Sequence, residues 1–301
     1  MEGTGKITGH LACFIAYAIF GINVIVCKDL TAGNLISPLT IFCMRSIGAG
    51  ALFWLISLFL PKEKVDPKDF IKIAAASFLG YFLTQVTFLF AISHITPMDC
   101  SIISAMSPIY TMIIAAIVLK EPISLQKAGG VALSLAGMIF MIMNTASATA
   151  AGPKTEMSGV LLMIANSISF SLYLGIFKPV IQKYSVITFM KWIFLFSFLM
   201  SFPFSAKELF TLDYAALPSG IVWDLVFLIL CATFITYFLI PIGQKRIRPT
   251  IVSMYSYVQP IIATAISIII GMDVLTWQKI LATITVFTGV AIVSFSRSAT
   301  R

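Results

Sequence analysis

The stretch VLKEPISLQK, residues 118–127, stands between two long apolar runs, and IIGMDVLTWQK, residues 269–279, repeats its order of residue types. Glu121 is followed by Gln126-Lys127, and Asp273 by Gln278-Lys279. Residue 121 becomes residue 273, a shift of 152 that needs no gap. At that shift Phe82 meets Phe234, Thr84 meets Thr236, and Ile95-x-Pro97 meets Ile247-x-Pro249. Ser101 and Ser104 meet Ser253 and Ser256, Pro108-Ile109 meets Pro260-Ile261, and Gly137 meets Gly289. Apolar residues match one another cheaply, so the proline, serine and Gln-Lys pairs carry the case for an internal repeat. Nearer the N-terminus a shift of 150 pairs Gly9 with Gly159, Phe20 with Phe170 and Lys28 with Lys178.

The composition says what is being repeated. Of 301 residues, 59% are hydrophobic and 11% charged, and the mean hydropathy is +1.01. A soluble domain carries about 25% charged residues. Apolar runs of about 20 residues separated by polar turns predict transmembrane helices. Ten are read, at 9–27, 38–60, 70–92, 97–119, 125–143, 158–181, 186–203, 220–242, 249–270 and 276–295. The shift carries the fourth onto the ninth and the fifth onto the tenth, so each repeat holds five helices. An odd number inverts the second copy across the membrane. The expected fold is an all-α polytopic membrane protein of two inverted five-helix repeats, residues 1–145 and 158–301. A small, polar linker at 146–157 joins them. The first apolar run has no small-residue cleavage site behind it, so no cleavable signal is expected.

The net charge of +8 follows topology rather than pointing to nucleic acid. With a cytoplasmic N-terminus, fifteen Lys and Arg fall inside: Lys6, Lys62, Lys64, Lys68, Lys72, Lys120, Lys127, Lys178, Lys183, Lys191, Lys245, Arg246, Arg248, Arg297 and Arg301. Four fall outside: Lys28, Lys154, Lys207 and Lys279. That bias predicts both termini on the cytoplasmic side. The five cysteines, Cys13, Cys27, Cys43, Cys100 and Cys231, show no metal-ligand spacing and read as small buried hydrophobes.

These motifs resemble the drug/metabolite transporter superfamily in its ten-helix EamA-like branch. FGINVIVCK at 20–28 is similar to the family's first-helix pattern, and Pro38 with Arg45 to its second-helix signature. LKEPISLQKAGGVALSLAGM at 119–138 is similar to its acidic turn and Gly-rich helix. Two departures stand out: Phe20 replaces a common Trp, and no Arg of the second repeat matches Arg45. The resemblance covers nearly the whole chain. It implies a transporter, commonly an exporter, in a bacterial inner (plasma) membrane.

Polar groups on a membrane helix avoid lipid and face protein or a cavity. Tyr81, Thr84 and Gln85 share one face of the third span, and the shift places Thr233, Thr236 and Tyr237 on the eighth. Ser101, Ser104 and Thr111 mark the fourth span, and Ser253, Ser256 and Thr264 the ninth, beside Tyr255, Tyr257 and Gln259. Asn166, Ser169 and Tyr173 mark the sixth, and Tyr17 and Asn23 the first. Packing through small polar residues explains single positions; recurrence in both halves predicts a central cavity. The expected solute-binding residues are Tyr17, Asn23, Arg45, Tyr81, Gln85, Ser104, Asn166, Tyr173, Tyr237, Tyr255 and Gln259. Arg45 reads either as a snorkelling side chain or as a partner for a solute carboxylate. Lys28, Asp99, Glu121, Lys178 and Asp273 are charged residues at helix ends, where they cap helices or serve gating and coupling.

The first helix has no acid between His10 and Lys28. The small multidrug pumps of the superfamily bind cations on such a residue, so the basic balance at depth favours an anionic or zwitterionic metabolite such as an amino acid. No nucleotide-binding loop and no hydrolase or zinc motif is present, so the expectation is a secondary transporter and no enzyme. No cofactor and no metal are expected, a proton is the candidate coupling ion, and the chain is a monomer or homodimer. A non-transporting membrane sensor or assembly protein on the same fold is the alternative.

Overall fold

The computed structural model describes residues 2–33, 35–118, 124–147, 155–246 and 255–295. Among them the chain is helical throughout, with no strand. We number the helices α1 (Glu2–Ala32), α2 (Pro38–Leu58), α3 (Pro67–His94) and α4, which has two pieces (Pro97–Ser104 and Ser107–Val118). They continue with α5 (Leu125–Ser147), α6 (Met157–Ile176), α7 (Val186–Thr211), α8 (Ser219–Arg246), α9 (Val258–Ile269) and α10 (Trp277–Phe295). A short helix, Lys178–Lys183, follows α6, and a 3-10 turn, Tyr255–Tyr257, precedes α9. Six of these helices (α1, α2, α3, α6, α7 and α8) are long and apolar enough to cross a membrane. The protein is an integral membrane protein.

Several helix limits differ from those read in the sequence, each for a local reason. The first span, expected to stop at 27, continues to Ala32. The Lys28 ammonium donates to the carbonyls of Ile92 (2.8 Å), Ser93 (3.3 Å) and Ile95 (3.0 Å), so its charge caps the end of α3 instead of ending α1. The seventh span, expected to stop at Pro203, runs to Thr211 with that proline inside it. Proline keeps a helical φ and forfeits one hydrogen bond, and Glu208 anchors the turn beyond it. The fourth span is interrupted at Ala105-Met106. Pro108 has no N–H for the Ser104 carbonyl, and the Ser107 hydroxyl donates to that oxygen instead at 2.7 Å. The sixth span breaks at Phe177, just before Lys178-Pro179.

α3 and α8 each contain a π-helical segment, Phe78–Leu83 and Leu230–Ile235. Residues 78 and 230 are 152 apart, as are 83 and 235. Such segments carry one extra residue per turn and loosen the hydrogen-bond ladder. Threonines occupy the freed carbonyls: Thr84 donates to Leu79 O at 2.7 Å and Thr236 to Cys231 O at 2.8 Å, again 152 residues apart.

α2 and α7 lie antiparallel, with the rings of Phe53 and Phe194 stacked at 5.3 Å between them. Each supplies a carboxylate to the start of the other. Glu208, in the last turn of α7, accepts from Ser37 N at 2.7 Å, from the Ser37 hydroxyl and from Thr40 Oγ1 at 2.8 Å. At the opposite end Glu63, beyond α2, accepts from Ser185 Oγ at 2.6 Å and Ser185 N at 3.1 Å. Ser37 and Ser185 are the N-caps of α2 and α7. Caps of this kind contribute about 1 kcal/mol each. Glu63→Gln and Glu208→Gln should each lower the unfolding free energy in detergent by about that amount. The double variant should lose about 2 kcal/mol, because the sites lie at opposite ends of a helix roughly 30 Å long. Strong non-additivity would show that the ends are coupled.

Burial pushes the Glu63 carboxyl up, but hydrogen bonds from Ser185 and Thr188 and the Lys245 charge outweigh it, leaving the pKa below its ordinary value. A depressed carboxylate stabilises the fold above its unfolded pKa and loses that contribution as pH falls through its folded one. The Glu63→Gln penalty should therefore be present at neutral pH and vanish in acid. A penalty independent of pH would contradict the cap.

α5 and α10 pack against each other. Ser134 Oγ donates to Val286 O at 3.1 Å, a contact between positions 152 apart. A Cβ on Gly289 would lie 2.5 Å from Gly130 O, so the backbones meet because that side chain is absent.

Candidate functional site

Arg45 is the largest fully buried side chain, at 0% exposure. It sits about two turns into α2, and its guanidinium is bonded in the interior, so it does not snorkel to a membrane surface. Its Nε donates to Thr233 Oγ1 at 2.8 Å and its Nη1 to Gln85 Oε1 at 2.7 Å. Gln85 Nε2 donates to the Tyr237 hydroxyl at 2.8 Å. The Thr233 hydroxyl in turn donates to Leu228 O at 2.6 Å. Arg45 Nη2 is buried with no hydrogen-bond partner, and the buried Tyr81 hydroxyl stands beside Thr233 and Ser46 without a well-formed hydrogen bond. Tyr81 and Thr233 lie inside the two π-helical segments, and Gln85 and Tyr237 just beyond them. The looser turns therefore aim polar side chains from α3 and α8 at the cation on α2.

Aromatic rings surround this cluster. Tyr237 meets Tyr81 edge to face at 4.9 Å, Phe194 at 5.8 Å and Phe20 at 6.1 Å. Tyr81 also meets Phe194 at 4.6 Å and Phe42 at 5.1 Å. A buried ion in this low-dielectric setting costs several kcal/mol unless its donors are met. Two neutral acceptors meet only part of the guanidinium.

Four of the expected solute-binding residues, Arg45, Tyr81, Gln85 and Tyr237, thus form one network. Tyr17 joins through the Phe20 ring at 6.0 Å. Asn166 and Tyr173 approach α3 from α6: Asn166 donates to Thr84 O, and the Tyr173 ring lies on Gly80. The others are placed elsewhere. Tyr255 shares a 2.8 Å hydrogen bond with His10, Ser104 donates to the Cys100 carbonyl of its own helix, and Asn23 accepts from the Cys27 thiol. The Gln259 carbonyl abuts Gly21 where α1 crosses α9. Thr233 was left out of the expected set, although the shift of 152 pairs it with Tyr81. A Cβ on Gly80 would overlap the Tyr173 ring. Gly80→Ala should cost about 1–3 kcal/mol by overpacking and displace Tyr173. An unchanged melting temperature would show that the ring has room to move.

A second cluster closes one end of the molecule. Asp99 and Asp273 are buried, and Lys279 Nζ pairs with Asp273 and stands 3.7 Å from Asp99 Oδ1. Asp273 also accepts from Met98 N at 3.3 Å, at the start of α4. Thr155 Oγ1 donates to Asp99 Oδ2 at 2.6 Å, and Glu156 pairs with His94 at 2.9 Å. Residues 94–99 are thus stitched to 155–156 and to 273–279. A further cluster joins the halves through Asp69, which takes bonds from Lys72 (2.8 Å), Tyr184 (2.7 Å) and Lys183. Asp69 raises the pKa of Lys183, which therefore stays protonated beyond the usual lysine range. Glu121 and the Lys178 side chain lie outside the described residues. Among the described residues no group of His, Cys, Asp and Glu could hold a metal ion.

A bundle of apolar helices around an interior polar cluster is an arrangement that membrane transport proteins share. The chain belongs to the EamA-like transporter family, whose model matches it twice, over residues 7–143 and 157–295. It is similar to the uncharacterized transporter YetK of Bacillus subtilis, with 22% identity over 86% of this chain and 78% of that one. The uncharacterized transporter YcxC of the same species is 25% identical over 76% and 74%. An uncharacterized transporter of Archaeoglobus fulgidus is 22% identical over 67% and 68%. One solved crystal structure superimposes with a TM-score of 0.62 over 95% of this chain and 96% of its own, at 16% identity, a likeness of fold.

Proposed function

We propose that this protein is a secondary transporter that carries small anionic or zwitterionic metabolites, amino acids and their relatives, across a bacterial inner membrane, in the direction of export. Two inverted five-helix repeats, residues 1–145 and 158–301, exchange conformations about the Arg45 cluster, with both termini cytoplasmic. The observation that carries this reading is the buried Arg45 network, which spans α2, α3 and α8 and so both halves. Gln85 is hydrogen-bonded to Tyr237, and the two are 152 residues apart. Equivalent positions of two repeats touch only near the axis that relates them. An axis at this contact supports a solute site at the polar cluster, because inverted repeats bind solutes near the interface that relates them. The reciprocal caps of α2 and α7, at opposite ends of the pair, fit the same relation.

The positive-inside bias supports the orientation. In a cysteine-free background, an impermeant thiol reagent added outside should label a cysteine replacing Lys154 and miss one replacing Lys64. The reverse pattern would turn the protein over. Function is tested by counterflow. Proteoliposomes loaded with unlabelled amino and organic acids should accumulate one labelled member saturably. Uptake equal to that of empty liposomes for every label would contradict transport.

A further inference from the structure

The buried charges of the described residues are unevenly matched. Asp69, Asp99 and Asp273 are all buried, and each has a lysine Nζ within ion-pair distance. Arg45, the most buried cation, has no carboxylate within ion-pair distance among the described residues. Its neighbours offer neutral oxygens that are already engaged. Gln85 spends its oxygen on Arg45 and its amide on Tyr237. Thr233 accepts from Arg45 and donates to Leu228 O. What the cluster still has to give is protons, first from the unpartnered Arg45 Nη2, then from the Tyr81 hydroxyl, which stands beside Thr233 and Ser46 without a well-formed hydrogen bond, and from the Tyr237 hydroxyl, which accepts from Gln85.

Resting on the transport reading above, we infer that the solute is an organic anion without an ammonium group: a small carboxylate on an apolar body. Arg45 Nη2 and the Tyr81 hydroxyl take its oxygens, and the rings of Phe20, Phe42 and Phe194 face its body. A zwitterion would bring a second charge into the same desolvated space. No carboxylate of the described residues bonds to any member of the cluster, so that ammonium would go unpaired, and an unpaired buried charge is costly. A carboxylate alone supplies the missing counter-charge and fills the open donors. Guanidinium–carboxylate pairing is the strong, charge-assisted kind.

The test uses matched pairs that differ only in the ammonium: leucine against 2-oxo-4-methylpentanoate, phenylalanine against phenylpyruvate and alanine against pyruvate. Each is offered as labelled solute to wild-type proteoliposomes loaded with the same compound. At least one oxo acid should accumulate 10-fold or more above its amino acid and raise the melting temperature of the detergent-solubilised protein. Tyr81→Phe, which keeps the ring and removes one donor, should raise the KM of that oxo acid several-fold with little change in folding, as expected for one lost hydrogen bond. Amino acids carried as well as their oxo partners would overturn the inference and leave the transport reading standing. No flux of either class, with no thermal shift by any carboxylate, would overturn both.

Discussion

Arg45→Gln should reduce solute flux about 100-fold while leaving the melting temperature unchanged or higher. The two halves of that expectation come from one cause. A hydrogen bond to a charged group contributes about 1.5–3 kcal/mol, and losing such contacts in transport is a factor of ten to a hundred or more. The empty protein, however, gains nothing from the charge. Arg45 is fully buried with Nη2 unpartnered and, among the described residues, no acid within ion-pair distance. Burying an ion without a counter-ion is unfavourable, so a neutral residue of similar reach removes a penalty. Glutamine can still bond to Gln85 and Thr233. Arg45→Lys should retain a small fraction of flux, because an ammonium keeps the charge and loses the planar fork. A cross-brace with no role in transport would behave oppositely: Arg45→Gln would lower stability and spare the flux of whatever protein folds. Flux and melting temperature measured on the same preparation separate the two.

Lys279→Met should cost about 3–5 kcal/mol, the usual result of removing one partner from a buried ion pair. Lys279 is the cation shared by Asp99 and Asp273, which are 0% and 4% exposed. Without it two carboxylates face each other in the interior. Opening that end of the molecule to water relieves them, so the loss should appear as greater thiol reactivity of a cysteine replacing Thr155 as well as a lower melting temperature. Adding Asp273→Asn to Lys279→Met should recover at least 1 kcal/mol, because it removes one of the stranded charges. Additive losses would show that the three residues do not act as a unit.

Much of the fold is written in the sequence at two scales. The apolar runs mark the spans, and the shift of 152 pairs positions that the structure brings into register, including Thr84 with Thr236 and Gln85 with Tyr237. The N-caps of α2 and α7 are also local signals: Ser37 and Ser185 each stand three residues before a Thr that opens a span. Their partners are not local. Glu208 and Glu63 come from the far end of another helix, and no spacing announces them. The π-helical segments are equally silent, since FLGYFL and LCATFI hold no residue that dictates an extra one in the turn. The extension of α7 past Pro203 depends on Glu208 reaching α2, a tertiary contact overriding a local breaker.

Reading the site followed the same division. Tyr81 and Gln85 were legible because a polar stripe in an apolar helix must face inward. Arg45 was ambiguous, because a charge two turns from a helix end can snorkel or be buried, and the choice depends on neighbours from α3 and α8. Tyr255 and Ser104 share the polarity of the Arg45 cluster but bond to His10 and to the backbone, a difference that only packing reveals. Thr233 lies on the same polar stripe, but its small size fits helix packing equally well, so the sequence does not single it out.

The most direct measurement is the accessibility of the Arg45 cluster from each side of the membrane. A cysteine replacing Thr233, in a background lacking the five native cysteines, would be exposed to an impermeant thiol reagent from one face or the other in sealed vesicles of known orientation. Labelling from either face, slowed by a transported solute, is the expected result. Labelling from one face alone, at a rate no solute alters, would contradict a site that opens alternately to the two sides.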